Sequence, residues 1–134
     1  MKKKYSLWMA AVAGLVLVSA SQAETVVIVN PGAGTLTKEQ IADIYLGKDT
    51  NYSPVDLPES VATRADFYKK ATGRELTQVK ATWSRLTFSG KAQPPKEVPD
   101  AAAVKKAVAA NVKAVGYIDK SAVDSTVKVV LTLE

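Results

Sequence analysis

The sequence predicts an α/β protein, a single layered domain with a small mixed sheet flanked by helices. Three observations point there. Short β-branched apolar runs recur at residues 25–30, 115–118 and 126–133. Segments of helical periodicity lie between them. Pro31 to Gly34, Gly47, Gly73 and Gly90 punctuate the junctions. Strand segments separated by helical ones pack as layers around one core.

Taken in order, the 25–30 run (TVVIVN) is continuously apolar and suits a strand buried on both faces, as in a parallel sheet. Pro31-Gly32-Ala33-Gly34 breaks it. Thr37 then opens a helix with Gln40 three residues on, a capping box, and Ile41, Ile44 and Tyr45 form its apolar stripe. Gly47 suits the position after that helix. Val55 begins a short extended piece. A second helix is expected over 61–72, with Val61, Ala65, Tyr68 and Ala71 on one face and Gly73 ending it. A third spans 75–88, with Leu76, Val79, Trp83 and Leu86 inward and Phe88 packed on or beside the apolar face. Three prolines make 91–99 an extended loop. Asp100 caps an alanine-rich helix to about residue 110. Asp119 caps one helical turn after the 115–118 strand. The final strand presents Val127, Val129, Leu131 and Leu133 to one side.

The first 23 residues are expected to stand outside this fold. Lys2, Lys3 and Lys4 precede an apolar core at 7–18, and the small residues at 19–23 suit cleavage before Glu24. The apolar run is shorter than the ~20 residues a membrane span needs. The sequence therefore predicts a signal peptide at 1–23 and a single α/β solute-binding-like domain at 24–134. Its location would be periplasmic or secreted, with no membrane anchor after cleavage. The whole chain carries 18 basic and 13 acidic residues, a net of +5; without the three signal lysines 15 basic residues remain, a net of +2. No Lys/Arg run remains either, which argues against nucleic acid.

The chain has neither cysteine nor histidine. Most zinc sites, thiol nucleophiles and Ser-His-Asp arrangements are thereby excluded. Asp43, Asp56, Glu59 and Asp66 fall on separate elements and mark no acid–base pair. No catalytic residue, metal or cofactor is expected.

Ligands of open α/β sheets bind outside the carboxyl ends of strands. That rule points to the 30–34 loop and the loop after Val55. The helix after Val55 has two possible starts. Asp56 with Glu59 would form a capping box, but Leu57 precedes Pro58 and is biased away from helical geometry. The alternative N-cap is Ser60, which would leave first-turn amides free beside Arg64, an arrangement suited to an anion. An ordinary cap, worth ~1 kcal/mol, with Arg64 a solvated face residue, is the competing reading. Gly32 and Gly34 allow either a plain turn or close backbone approach to a phosphate.

Residues 35–48 (TLTKEQIADIYLGK) resemble a segment of the periplasmic phosphate-binding proteins that serve ABC transporters. Val115-Gly116-Tyr117-Ile118 resembles a late strand of that family, and 54–67 occupies the place of its serine- and threonine-rich phosphate loop. The chain is similar to small exported proteins of this kind. The resemblance implies a shortened type II periplasmic-binding-protein fold, with oxyanion binding by helix N-termini and hydroxyls. Ser60 would match the loop serine, with Thr63 and Arg64 at the helix start; Asp56 and Glu59 depart from the family's arginine and glycine. The expected ligand is a small inorganic anion, phosphate or a relative, held by Ser60, Thr63 and Arg64 with Asn30, Gly34 and Thr35. A membrane transporter or sensor is the expected partner. The alternative is an interaction or sensor-accessory module of the same fold without tight ligand binding.

Overall fold

A computed structural model describes residues 24–134; the expected signal segment lies outside the described residues. Among the described residues five strands form one sheet: β1 (Thr25–Val29), β2 (Ser53–Asp56), β3 (Lys96–Glu97), β4 (Ala114–Asp119) and β5 (Lys128–Leu133), in spatial order β3-β2-β4-β1-β5. Four helices connect them: α1 (Lys38–Tyr45), α2 (Ala62–Thr72), α3 (Leu76–Phe88) and α4 (Ala101–Ala109), with a 3-10 turn at Lys120–Ala122. The predicted α/β class and mixed sheet are observed.

All five residues of β1 are buried, as its composition predicts, but the strand runs antiparallel to both neighbours. Double-sided burial comes from helices on both faces. Gly116 of β4 faces α4: a Cβ there would lie 2.5 Å from Val104 Cγ1. The next residue, Tyr117, points to the other face and stacks on Phe67 of α2, with ring centroids 4.0 Å apart. Ile28 pairs with Gly116 and Val27 with Tyr117, so β1 is covered on both sides. A continuous apolar run records burial, not strand direction.

Helix ends follow local chemistry. The Thr37 hydroxyl accepts from the Gln40 N–H at 3.1 Å, and the Gln40 side chain accepts from the Thr37 N–H at 2.8 Å, the expected capping box. Asp100 accepts from the Ala103 N–H at 2.9 Å. α2 departs from expectation. Its N-cap is Val61, not Ser60, and no side chain among the described residues caps it. Its buried face is built on Phe67, Tyr68 and Ala71, whereas Ala65 is exposed. Two further expectations are corrected. Phe88, expected to pack, is 95% exposed at the end of α3. The even alternation expected along β5 is interrupted: Val27 pairs with Leu131 and Ile28 with Val129, which makes Val130 the extra residue of a bulge. Val129 is left exposed in consequence.

Candidate functional site

β2 delivers Asp56 to the carboxyl end of its strand, where the residue is buried to 2% exposure. A buried carboxylate is costly without hydrogen-bond donors, and this one has several. Its Oδ2 accepts from the Tyr68 hydroxyl at 2.7 Å. Its Oδ1 accepts from the Tyr117 hydroxyl and from the Leu57 N–H at 3.0 Å. Arg64 Nε stands 3.7 Å from the same oxygen, within ion-pair range but beyond a hydrogen bond. That nitrogen is buried and has no hydrogen-bond partner among the described residues. The rest of the guanidinium is anchored: Nη1 donates to Leu57 O at 2.9 Å and to Glu97 Oε1 at 3.4 Å.

The surrounding tyrosines are held neutral. Burial first, then the Asp56 charge, pushes the Tyr68 and Tyr117 hydroxyls well above their ordinary range. Burial does the same to Tyr45, whose hydroxyl lies 2.7 Å from Val55 O and 3.0 Å from Val115 O. Edge-on contact of Tyr45 with Phe67 at 4.6 Å joins α1 to α2. The cluster thus fixes β2, β4, α1 and α2 relative to one another around one carboxylate.

Ser60 is exposed in the turn before α2, and Thr63 is half-buried in its first turn. The Val61 and Arg64 N–H groups bond to Pro58 O and Val61 O, each at 3.0 Å. Those of Ala62 and Thr63 have no protein acceptor among the described residues, and α2 has no acid in its first turn. Glu59 is turned to Lys80 of α3 at 3.0 Å, and that contact lowers its carboxyl pKa. Ser60, Thr63 and Arg64 therefore share one end of the sheet.

Asn30, Gly34 and Thr35 do not join them. β2 and β4 run parallel and β1 antiparallel to β4, so the 30–35 loop stands at the opposite end of the sheet. The Asn30 amide caps α4, donating to Ala109 O at 2.9 Å, while its Oδ1 accepts from the Gly32 N–H at 2.8 Å. Gly34 and Thr35 line a separate cavity of about 220 Å³ with Tyr52 and Lys113. The carboxyl-end rule selected both loops, but in an antiparallel pair the two carboxyl ends lie on opposite sides.

Sequence reasoning missed Tyr68, Tyr117 and Glu97 as partners of Arg64 and Asp56. One signal was present: a lone acid between Val55 and Leu57, where burial would demand donors. A groove of about 600 Å³ adjoins the cluster, walled by Asp56, Arg64, Trp83, Phe88, Pro95 and Glu97 among others. Among the described residues no group of His, Cys, Asp and Glu is arranged to hold a metal. None of the described helices is long and apolar enough to cross a membrane.

The fold resembles that of substrate-binding proteins for phosphate transport. An ABC-type phosphate transport receptor from Vibrio cholerae matches with a TM-score of 0.64 and 27% identity over 81% of this chain and 45% of the receptor. A putative phosphate ABC transporter substrate-binding protein with bound phosphate, from Clostridium perfringens, shares the fold with a TM-score of 0.62 and 23% identity, over 81% and 44% of the two chains. PstS from Borrelia burgdorferi shares it with a TM-score of 0.55 and 13% identity, over 96% and 64%. The chain thus spans less than half of the first two proteins and 64% of the third. No protein-family model matches the chain, and no curated protein matches it. The resemblance drawn from residues 35–48 and 115–118 agrees with these neighbours, the first two of which are named for phosphate transport.

Proposed function

We propose that this chain is an exported, solute-binding-like protein that recognises phosphate or a related oxyanion at the start of α2, in connection with ABC transport. The reading rests chiefly on the uncapped N-terminus of α2. The amides of Ala62 and Thr63 have no acceptor there among the described residues, and the Ser60 and Thr63 side chains and the Arg64 guanidinium are close in sequence. A helix start of this kind combines unsatisfied donors with the positive end of the dipole. The likeness to a phosphate transport receptor at 27% identity supports the same ligand class. Ser60, Thr63 and the amides would donate hydrogen bonds, with Arg64 behind them, its charge largely offset by Asp56 and Glu97. The 30–35 loop has no part in this site. Calorimetry of the chain against phosphate should give saturable heat that Ser60→Ala with Thr63→Ala removes. No heat with phosphate, sulfate or phosphonates would refute it.

A second reading has its own observation. The Arg64 charge is already met by Asp56 and Glu97, while Phe88 stands exposed beside an apolar groove. These features suit an interaction or sensor-accessory module. Recovery of one membrane transporter or sensor without added anion, lost on Phe88→Ser, would favour that module.

A further inference from the structure

Arg64 is the cation an oxyanion at this end of the sheet would seek, yet two of the chain's own carboxylates reach it first. Asp56 is fixed 3.7 Å from Nε, and Glu97 lies 3.4 Å from Nη1. Around Asp56 converge the Tyr68 and Tyr117 hydroxyls and the Leu57 N–H, three donors of the kind an anion site needs. The carboxylate cannot swing away, because it is buried at the end of β2 and bonded through both oxygens. It also borders the open groove of about 600 Å³ that Arg64 lines, so a soluble anion approaching Arg64 meets a like charge. The buried Nε–H has no hydrogen-bond partner among the described residues.

We propose that the Asp56 carboxylate is a resident anion that competes with soluble oxyanions for Arg64 and thereby sets the affinity of this end of the sheet. The inference builds on the oxyanion reading above. Asp56 is then a determinant of affinity: its charge keeps soluble oxyanions at the α2 start and away from the guanidinium. Glu97, with its side chain 59% exposed, contributes the weaker half of the same effect because water screens it.

The test is phosphate binding by calorimetry to the wild-type chain, Asp56→Asn, Glu97→Gln, and Asp56→Asn with Arg64→Ala, each first checked for native near-UV circular dichroism. Asp56→Asn keeps the size of the side chain and removes the charge. It should bind phosphate at least tenfold more tightly than wild type, and adding Arg64→Ala should erase the gain. Glu97→Gln, a surface change that does not endanger folding, should give a gain of two- to fivefold and decides the matter if Asp56→Asn does not fold. A carboxylate with a purely structural role would lose stability on substitution without gaining affinity. The proposal is overturned if folded Asp56→Asn binds no more tightly than wild type, or, should it not fold, if Glu97→Gln gives no gain. A wild type without measurable binding beside an Asp56→Asn that binds would refute the oxyanion reading and leave this one standing.

Discussion

Removing the hydroxyl of Tyr68 tests the Asp56 cluster most directly. Among the described residues Asp56 Oδ2 has one hydrogen-bond donor, the Tyr68 hydroxyl at 2.7 Å, whereas Oδ1 has the Leu57 N–H, the Tyr117 hydroxyl and nearby Arg64. Tyr68→Phe keeps the ring and its edge contact with Phe67 at 5.2 Å but strands a buried carboxylate oxygen. A hydrogen bond to a charged group is worth about 1.5–3 kcal/mol. For a domain of this size roughly 4 °C of melting temperature accompanies each kcal/mol, so a fall of roughly 6–12 °C is expected. Tyr117→Phe should cost less, about 1 kcal/mol, because Oδ1 retains two partners and the phenyl ring left at that position can still stack on Phe67. Urea unfolding monitored by circular dichroism measures both variants, and a double-mutant cycle with Asp56→Asn isolates the coupling. A Tyr68→Phe variant within about 0.5 kcal/mol of wild type, the span of ordinary surface changes, or one less affected than Tyr117→Phe, would refute the account.

Ser60→Ala should leave stability within about 0.5 kcal/mol of wild type, since Val61 holds the cap position, whereas Thr37→Ala should cost about 1 kcal/mol by removing a genuine capping box; equal losses in urea melts would count against the assignment of the α2 start. Gly116→Ala should cost about 1–3 kcal/mol by overpacking, because the new methyl would meet Val104 Cγ1 at 2.5 Å and Val108 Cγ2 at 3.1 Å; an unchanged melting temperature would contradict the packing of α4 on β4. Tyr45, Tyr68 and Tyr117 have raised folded-state pKa values against an unfolded value of 10.0, so the stability they contribute is complete below pH 10 and is lost as pH rises above it. Each group steepens the loss by about 1.4 kcal/mol per pH unit, which makes about 4 for the three; tyrosinate absorbance from them should appear only as circular dichroism is lost, and their titration near pH 10 in a folded protein would refute this. Wild-type phosphate affinity should be near millimolar by calorimetry, and nanomolar binding would refute an anion site at the exposed α2 start.

Much of the fold was legible because its signals are local. Thr37 with Gln40, Asp100 before its alanine run, and the glycines with positive φ at 47 and 73 each act within one turn of chain. Strand direction was not legible. The 25–30 run is apolar on both faces whether its neighbours run with it or against it, and only the pairing with β4 and β5 decides. That single unknown is why Asn30, Gly34 and Thr35 were grouped with Ser60. The start of α2 was misplaced for a different reason. A serine was available to cap, but the Pro58 to Val61 turn consumes that stretch, and the helix begins one residue later behind a valine. The Asp56 cluster joins positions 56, 64, 68, 97 and 117, and no local periodicity links them.

The pairing of Arg64 with Asp56 and Glu97 and the exposure of the α2 start bear on affinity together. Charge-assisted hydrogen bonds are worth about 1.5–3 kcal/mol where water is excluded, and an exposed helix dipole adds about 0.3–1 kcal/mol. At the α2 start Ser60 is exposed, so water competes for each contact: a charge pair at 4 Å weakens from about 4 kcal/mol at an effective dielectric of 20 to about 1 kcal/mol in bulk water. Immobilising the anion costs at least about 4 kcal/mol. Two amides and two hydroxyls on an open face then leave a net of a few kcal/mol, the scale of millimolar binding. Burial by a second surface would exclude that water, but it would also desolvate Glu97 and strengthen its repulsion of the incoming anion. Tight binding at this end of the sheet therefore requires two changes at once, a covering surface and a neutral residue at position 56 or 97; either alone gains only part of the affinity.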